Sequence, residues 1–320
     1  MMMAEEEHGN DEEEIFVYMG GDQQVPDGVR RARIHKSVKI IRARAFYNCW
    51  RLIHVDFHDG VEIIEEQAFY SCVRLRIVKL LGVKIVKERA FGYTGLADVE
   101  FGDKLETIEL SAINNCKALT NIKMPSVRNI GKFAFASCSE LTDVELGEAL
   151  RTIEEYTFDN CRKLERIALP LISNMIENHV FDDCRNLTTV DLVGGIHQTV
   201  ASFHMESWRN DMNNEINRIN SVLPTITRGK TEVIQQWMES VINRLDHCKA
   251  EYQKLLKEAT TLLELALWKA NIDDNEGGQL EREGVRTTRG SRKRARRECL
   301  IIASADVVIE NVLLFLQLAE

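Results

Sequence analysis

The sequence predicts an α/β fold: a repeat solenoid with a parallel concave sheet, followed by an α-helical C-terminal region. Three observations predict it. One apolar phrase recurs at a fixed interval of 22 or 23 residues through the first half of the chain. Within each copy, apolar and polar residues alternate as they do in a half-buried strand. After about residue 197 that period gives way to helical spacing.

The repeat is read most clearly from its aromatic position. Phe46 is followed by Phe69, Phe91, Ile113, Phe135, Phe158 and Phe181, at intervals of 23, 22, 22, 22, 23 and 23. Five residues before each stands Ile or Val: Ile41, Ile64, Val86, Ile108, Ile130, Ile153 and Ile176. After each comes a phrase of the form L-x-x-V-x-L, such as LIHVDF at 52–57 and LTDVEL at 141–146, with VRRARI at 29–34 opening the array. A period of this length is the mark of a solenoid, in which no unit buries its own apolar face and stacking supplies the core. Strands so stacked form a parallel sheet with neighbours about 4.8 Å apart.

Cysteine shares the register. Cys49, Cys72, Cys116, Cys138, Cys161 and Cys184 hold one place in six repeats. Zinc needs ligands converging on a point, whereas these run along a line. A nucleophilic thiol needs a base, and no histidine repeats in phase. The expected role is packing, since free cysteine behaves as a small buried hydrophobe. The third repeat departs from the pattern: Thr94 takes the cysteine place and the Phe91–Leu96 interval is five where six is usual. A local irregularity is expected there. No glycine-rich phosphate loop, metal-ligand cluster or activated nucleophile is found, so the expected protein is no enzyme and carries no cofactor.

These residues resemble the BspA-like, or treponemal-type, leucine-rich repeat. Its C-x-x-L-x-x-I-x-L phrase and A-F-x-x-C corner are matched by Cys138, Leu141, Val144 and Leu146, then by Ile153, Phe158 and Cys161. The likeness covers 29 to about 192. The layout, with a helical tail after the repeats, resembles that of algal proteins carrying this repeat. The resemblance implies a curved leucine-rich repeat solenoid that binds protein on its concave sheet and performs no catalysis. Some bacterial members are surface adhesins. The acidic N-terminus here lacks the basic start and apolar run of a secretion signal, so an intracellular location, cytoplasmic or nuclear, is expected, with reduced thiols.

If the L-x-x-V-x-L phrase is the concave strand, the residues flanking its central Val point outward. The candidate protein-binding residues are therefore Arg31, Arg33, His54, Asp56, Lys79, Asp98, Glu100, Lys123, Asp143, Glu145, Arg166 and Asp191, with Ile77, Asn121, Ala168 and Thr189 in the same columns. A face of mixed charge suits a protein partner with its own charge pattern.

Along the chain, five segments are expected. Residues 1–24 form a disordered acidic tail: seven of the first fourteen are Asp or Glu and none is Lys or Arg. Residues 25–197 form the solenoid. Residues 198–270 form a helical hairpin that caps the last repeat, or a coiled coil whose stretch 231–270 supports a homodimer. In that stretch Leu245, Cys248, Tyr252, Leu255, Ala259, Leu262 and Ala266 fall at steps of three and four, the heptad spacing. Residues 271–298 form a polar and then basic linker. Its Arg292, Lys293, Arg294, Arg296 and Arg297 belong to a run of seven basic residues in twelve, a pattern suited to nuclear import and less to nucleic acid. Residues 299–320 are an apolar C-terminal element; its Asp306 and Glu310 make a membrane span costly.

Overall fold

The computed structural model describes residues 15–26, 28–193 and 206–280. The chain divides into two compact units, 1–196 with 210–242 and 197–209 with 243–320.

The first unit is a parallel solenoid. Its concave strands are β1 (Ile15–Tyr18), β2 (Arg31–Ile34), β4 (His54–Asp56), β6 (Ile77–Leu80), β8 (Asp98–Phe101), β10 (Asn121–Met124), β12 (Asp143–Leu146), β14 (Arg166–Leu169) and β15 (Thr189–Leu192). Two-residue strands alternate with them: β3 (Ile40–Ile41), β5 (Ile63–Ile64), β7 (Ile85–Val86), β9 (Thr107–Ile108), β11 (Asn129–Ile130) and β13 (Thr152–Ile153). These form one six-stranded parallel sheet, and the bridge Ile153–Ile176 prolongs it by a rung. Rung 1 here means β2, β3 and the corner at Phe46, and each later repeat is numbered in turn.

The expected columns are the core. Phe46, Phe69, Phe91, Ile113, Phe135, Phe158 and Phe181 are all buried, as are the Ile and Val residues five places before them. Rings stack directly, with Phe69 and Phe91 centroids 5.1 Å apart and nearly parallel. At each corner alternate N–H groups donate to the next rung, as in Arg44 N–H to Glu66 O, Phe46 N–H to Ala68 O and Asn48 N–H to Tyr70 O. That pattern requires left-handed backbone at two residues per corner, such as Arg44 (φ 59) and Asn48 (φ 59). The conformation costs little for Asn and more for bulky residues.

The concave sheet is hydrogen-bonded in three sections: β1-β2-β4, β6-β8 and β10-β12-β14-β15. The break between β8 and β10 follows the shortened third repeat. There Gly95 approaches rung 2 so closely that a Cβ would lie 2.2 Å from the Val73 carbonyl oxygen.

The expected disorder of 1–24 is corrected at its C-terminal end. Ile15–Tyr18 is a strand parallel to β2, pairing Ile15 with Arg31 and Tyr18 with Ile34. Tyr18 is fully buried and its ring lies 5.2 Å from Phe46. The sequence IFVY is β-branched and aromatic, which suits a strand; the acidic run before it masked that signal. The acidic residues 1–14 lie outside the described residues.

Among the described residues, two helices follow the last rung. α1 spans Glu206–Val222 and α2 spans Lys230–Leu280, with a single 3-10 turn, Leu223–Thr225, between them. Pro224 and Gly229 stand at the break, as the sequence indicates. α2 runs ten residues past the expected end near Ala270, into the polar stretch read as a linker. Its helical Gly277 and Gly278 run against propensity, and nothing in the local sequence explains the extension.

Within the first unit, side chains of these helices replace an eighth rung. The Asn220 side-chain amide accepts from Val190 N–H (2.8 Å) and donates to Val190 O (3.3 Å), as a strand partner of β15 would. Thr231 Oγ1 accepts from Phe181 N–H (2.9 Å), a donor that in earlier rungs meets the next corner. Gln235 donates to the Ile176 and Glu177 carbonyls, and Lys230 Nζ to those of Arg185 and Leu187. Met212, Ile219, Leu223, Ile234, Trp237, Met238 and Val241 supply the buried apolar side of the cap. Trp237 fixes the pair by donating from Nε1 to Glu215 O.

Candidate protein-binding face

On each concave strand the residues alternate between buried and outward. β6, β8 and β10 read exposed, buried, exposed, buried. The buried members are Val78, Val99 and Ile122; the outward ones are Ile77 and Lys79, Asp98 and Glu100, Asn121 and Lys123. Arg31, Arg33 and His54 are exposed as well, while Asp56, Asp143, Glu145, Arg166, Thr189 and Asp191 are half-buried. Parallel register places these residues in two columns, as in Asp143–Arg166–Thr189 and Lys79–Glu100. All twelve predicted binding residues therefore share one face. Ala168 is corrected: it is buried, because its methyl sits in the register between the longer Glu145 and Asp191.

The charges along this face pair with one another across rungs. Lys79 Nζ lies 2.8 Å from Glu100, Lys123 Nζ 2.7 Å from Glu145, and Arg33 Nε 3.3 Å from Asp56. Arg166 reaches both ways, 2.8 Å to Asp143 and 2.6 Å to Asp191. His54 lies 2.6 Å from Asp56 on its own strand. Hydrogen bonds donated to Glu100 and Glu145 push the Lys79 and Lys123 pKa values up, and those that Arg166 donates to Asp143 and Asp191 do the same for Arg166. Five cations face six carboxylates, so the face is nearly neutral while densely charged. Ile77, 54% exposed, is its largest apolar contact point.

The cysteine places do what the sequence reading expects of packing residues. All six are buried, and none is in a disulfide. Their thiols cap carbonyls of the preceding rung: Cys72 bonds Phe46 O, Cys138 Ile113 O, Cys161 Phe135 O and Cys184 Phe158 O. Thr94 enters the same ladder, its hydroxyl donating to Phe91 O and touching Cys116 Sγ. Burial pushes the Cys161 thiol up to about 12 and raises Cys72 and Cys184 too. A buried thiol held neutral is a poor nucleophile. Among the described residues no three His, Cys, Asp or Glu side chains converge to hold a metal ion. No described helix is long and apolar enough to cross a membrane.

A feature missed in sequence is a row of exposed and half-buried aromatics at the corners. Tyr47 and Tyr70 stack at 5.5 Å, Tyr93 continues the row, and Arg51 lies over Trp50. The signal was the position after the core aromatic, occupied by Tyr in two successive repeats. The basic residues Arg292, Lys293, Arg294, Arg296 and Arg297, and the apolar 299–320 element, lie outside the described residues.

A parallel solenoid with leucine, aromatic and cysteine columns defines a leucine-rich repeat protein. The family described as "BspA type Leucine rich repeat region" matches in six copies over residues 28–120 and 84–215, more than half of the chain, and the chain belongs to it. Solved structures are similar over about half of the chain. A leucine-rich repeat protein from Bacteroides ovatus is 24% identical, with a TM-score of 0.40, over 50% of this chain and 42% of that one. The Treponema pallidum leucine-rich repeat protein is 25% identical, with a TM-score of 0.39, over 52% of this chain and 70% of that one. The pneumococcal vaccine antigen PcpA is 19% identical, with a TM-score of 0.40, over 56% and 54%. This chain thus spans less than half the length of the Bacteroides protein. No curated protein matches it.

Proposed function

We propose that the protein is a non-enzymatic, intracellular interaction scaffold whose concave strands recognise a protein partner. The observation that carries this reading is the alternation of sign along one outward column, Arg33, Asp56, Lys79, Glu100, Lys123 and Glu145, with Ile77 and the acidic pair Asp98–Glu100 at the middle of the face. Exposed ion pairs contribute only about 0–1 kcal/mol each. A partner with the complementary pattern therefore exchanges them at small cost and gains register specificity. The test is affinity capture from the source cell with the native chain and with a variant carrying Asp98→Lys, Glu100→Lys, Asp143→Lys and Glu145→Lys. A partner captured by the native chain and lost by the variant supports the reading. A partner held equally by both refutes it.

The homodimer reading narrows. Ile234, Trp237, Met238 and Val241 of the 231–270 stretch are buried in the solenoid's own unit. Beyond them, Leu262, Leu265, Leu267 and Trp268 of α2 are all more than half exposed. That favours pairing with a second copy through the distal part of α2 alone. Light scattering at micromolar concentration tests it: Leu262→Glu with Leu265→Glu converts a dimer to a monomer, and a native chain that is already monomeric ends the reading. The nuclear-adaptor alternative rests on the sequence of 286–297. Retention on DNA that falls with salt and with loss of those arginines is its signature.

A further inference from the structure

The ends of the solenoid differ in charge. Residues 28–60 hold eight Lys or Arg against two Asp, in a chain whose net charge is −9. The cause lies in two columns beside the six-stranded sheet, where sign alternates rung by rung: Lys39, Glu62, Lys84 and Glu106 in one, Arg42, Glu65, Lys87 and Glu109 in the other. Carboxylates inside the stack are shared by two cations. Glu62 lies 2.8 Å from Lys84 and 3.9 Å from Lys39. Glu65 lies 3.6 Å from Lys87 and 3.9 Å from Arg42.

The rung-1 cations therefore hold the longer end of each shared contact, and among the described residues no ion pair joins Lys39 or Arg42 to a second carboxylate. Their side chains are 74% exposed at Lys39 and 55% at Arg42. Arg44 donates from Nε to the neutral Gln67 oxygen at 3.0 Å and lies over the Tyr47 ring, and among the described residues it has no carboxylate partner. Lys36 is exposed, and among the described residues no carboxylate lies within 4 Å of it. By the alternation, the next position outward calls for acid.

The chain carries that acid directly upstream. Residues 1–14 contain Glu5, Glu6, Glu7, Asp11, Glu12, Glu13 and Glu14 and no Lys or Arg. They join β1, which is paired to rung 1, and the Tyr18 hydroxyl accepts from Arg42 N–H at 3.5 Å. Fourteen residues span up to about 46 Å when extended, enough to reach any point on one rung. We propose that the basic first rung, through Lys36, Lys39, Arg42 and Arg44, is the docking surface for the chain's own acidic segment 1–14. Single-stranded nucleic acid fits less well: Tyr47 and Tyr70 are stacked within 7° of parallel at 5.5 Å, so a base finds no gap between them.

The experiment measures binding of a fluorescent synthetic peptide of residues 1–14 to three full-length chains. The first is native. The second has the tail neutralised by Glu5→Gln, Glu6→Gln, Glu7→Gln, Asp11→Asn, Glu12→Gln, Glu13→Gln and Glu14→Gln. The third adds Lys36→Gln, Lys39→Gln, Arg42→Gln and Arg44→Gln, all at exposed positions, with a cooperative melt as the folding control. A tethered segment acts at an effective concentration of about millimolar, so the native chain should bind the added peptide at least about tenfold more weakly than the neutralised one. The third chain should not bind, and raised salt should weaken the second. Equal binding by the first two, no binding by the second, or retained binding by the third overturns the proposal. So does tighter binding of a single-stranded oligonucleotide than of the peptide by the second chain.

Discussion

Each buried residue of a rung touches its counterparts above and below, so a single change is felt by three rungs. Phe135 is buried and stacks on Phe158 at 5.4 Å. Phe135→Ala is expected to cost about 3–5 kcal/mol of unfolding free energy, measured by urea titration; a loss under about 1 kcal/mol contradicts its place in the core. Gly147 tests backbone approach. A Cβ there would lie 1.7 Å from the Pro125 carbonyl oxygen, so Gly147→Ala is expected to destabilise by about 1–3 kcal/mol as overpacking does. The thiols test burial. Eight cysteines are present and six belong to the buried ladder, so no more than two should react with a thiol reagent before unfolding. These core roles were legible because one residue type recurs at one spacing. The corner tyrosines were not, since their place is shared by Tyr47, Tyr70, Gly92 and Asn114, which differ in burial and show no common chemistry.

Elements at the two ends are held by different means, and neither follows from the period. At the start, β1 adds a strand and Tyr18 fills the aromatic column. At the finish, Asn220, Thr231 and Gln235 hydrogen-bond the groups an eighth rung would meet. The sequence announces a cap through its apolar helical spacing, but no pattern marks which polar side chain meets which carbonyl. Asn220→Ala leaves Val190 N–H and O without these partners, an expected loss of about 1–3 kcal/mol. Amide exchange should quicken first in β14 and β15, and uniform quickening along the array would contradict a local cap. The outer ion-pair columns give a pH dependence. Hydrogen bonds from Lys84 and Lys132 hold the Glu62 and Glu155 carboxyls below the usual value of 4.5. A depressed folded pKa means these pairs contribute fully above the unfolded pKa and are lost as pH falls through the folded value. Thermal midpoints should therefore drop below about pH 4.5, and a Glu62→Gln, Glu155→Gln variant should drop less.

At the scale of the whole molecule, the solenoid fixes its outward columns rigidly because every concave strand is anchored by buried Val, Ile and Leu residues. Such a surface recognises by register. The outward positions of the concave strands were readable in sequence, Ala168 excepted, since strand alternation dictates which side chains point outward. Their pairing across rungs was not: Arg166 bridging Asp143 and Asp191 depends on alignment of residues 23 and 25 apart in sequence. The most direct test of the concave-face assignment is photo-crosslinking of the captured partner from single positions. One probe replaces Ile77, exposed at the middle of the face, and another replaces Leu262, exposed on α2. Recognition by the solenoid predicts a partner adduct from position 77 and none from 262. An adduct from 262 with none from 77 would contradict it and assign recognition to the helix.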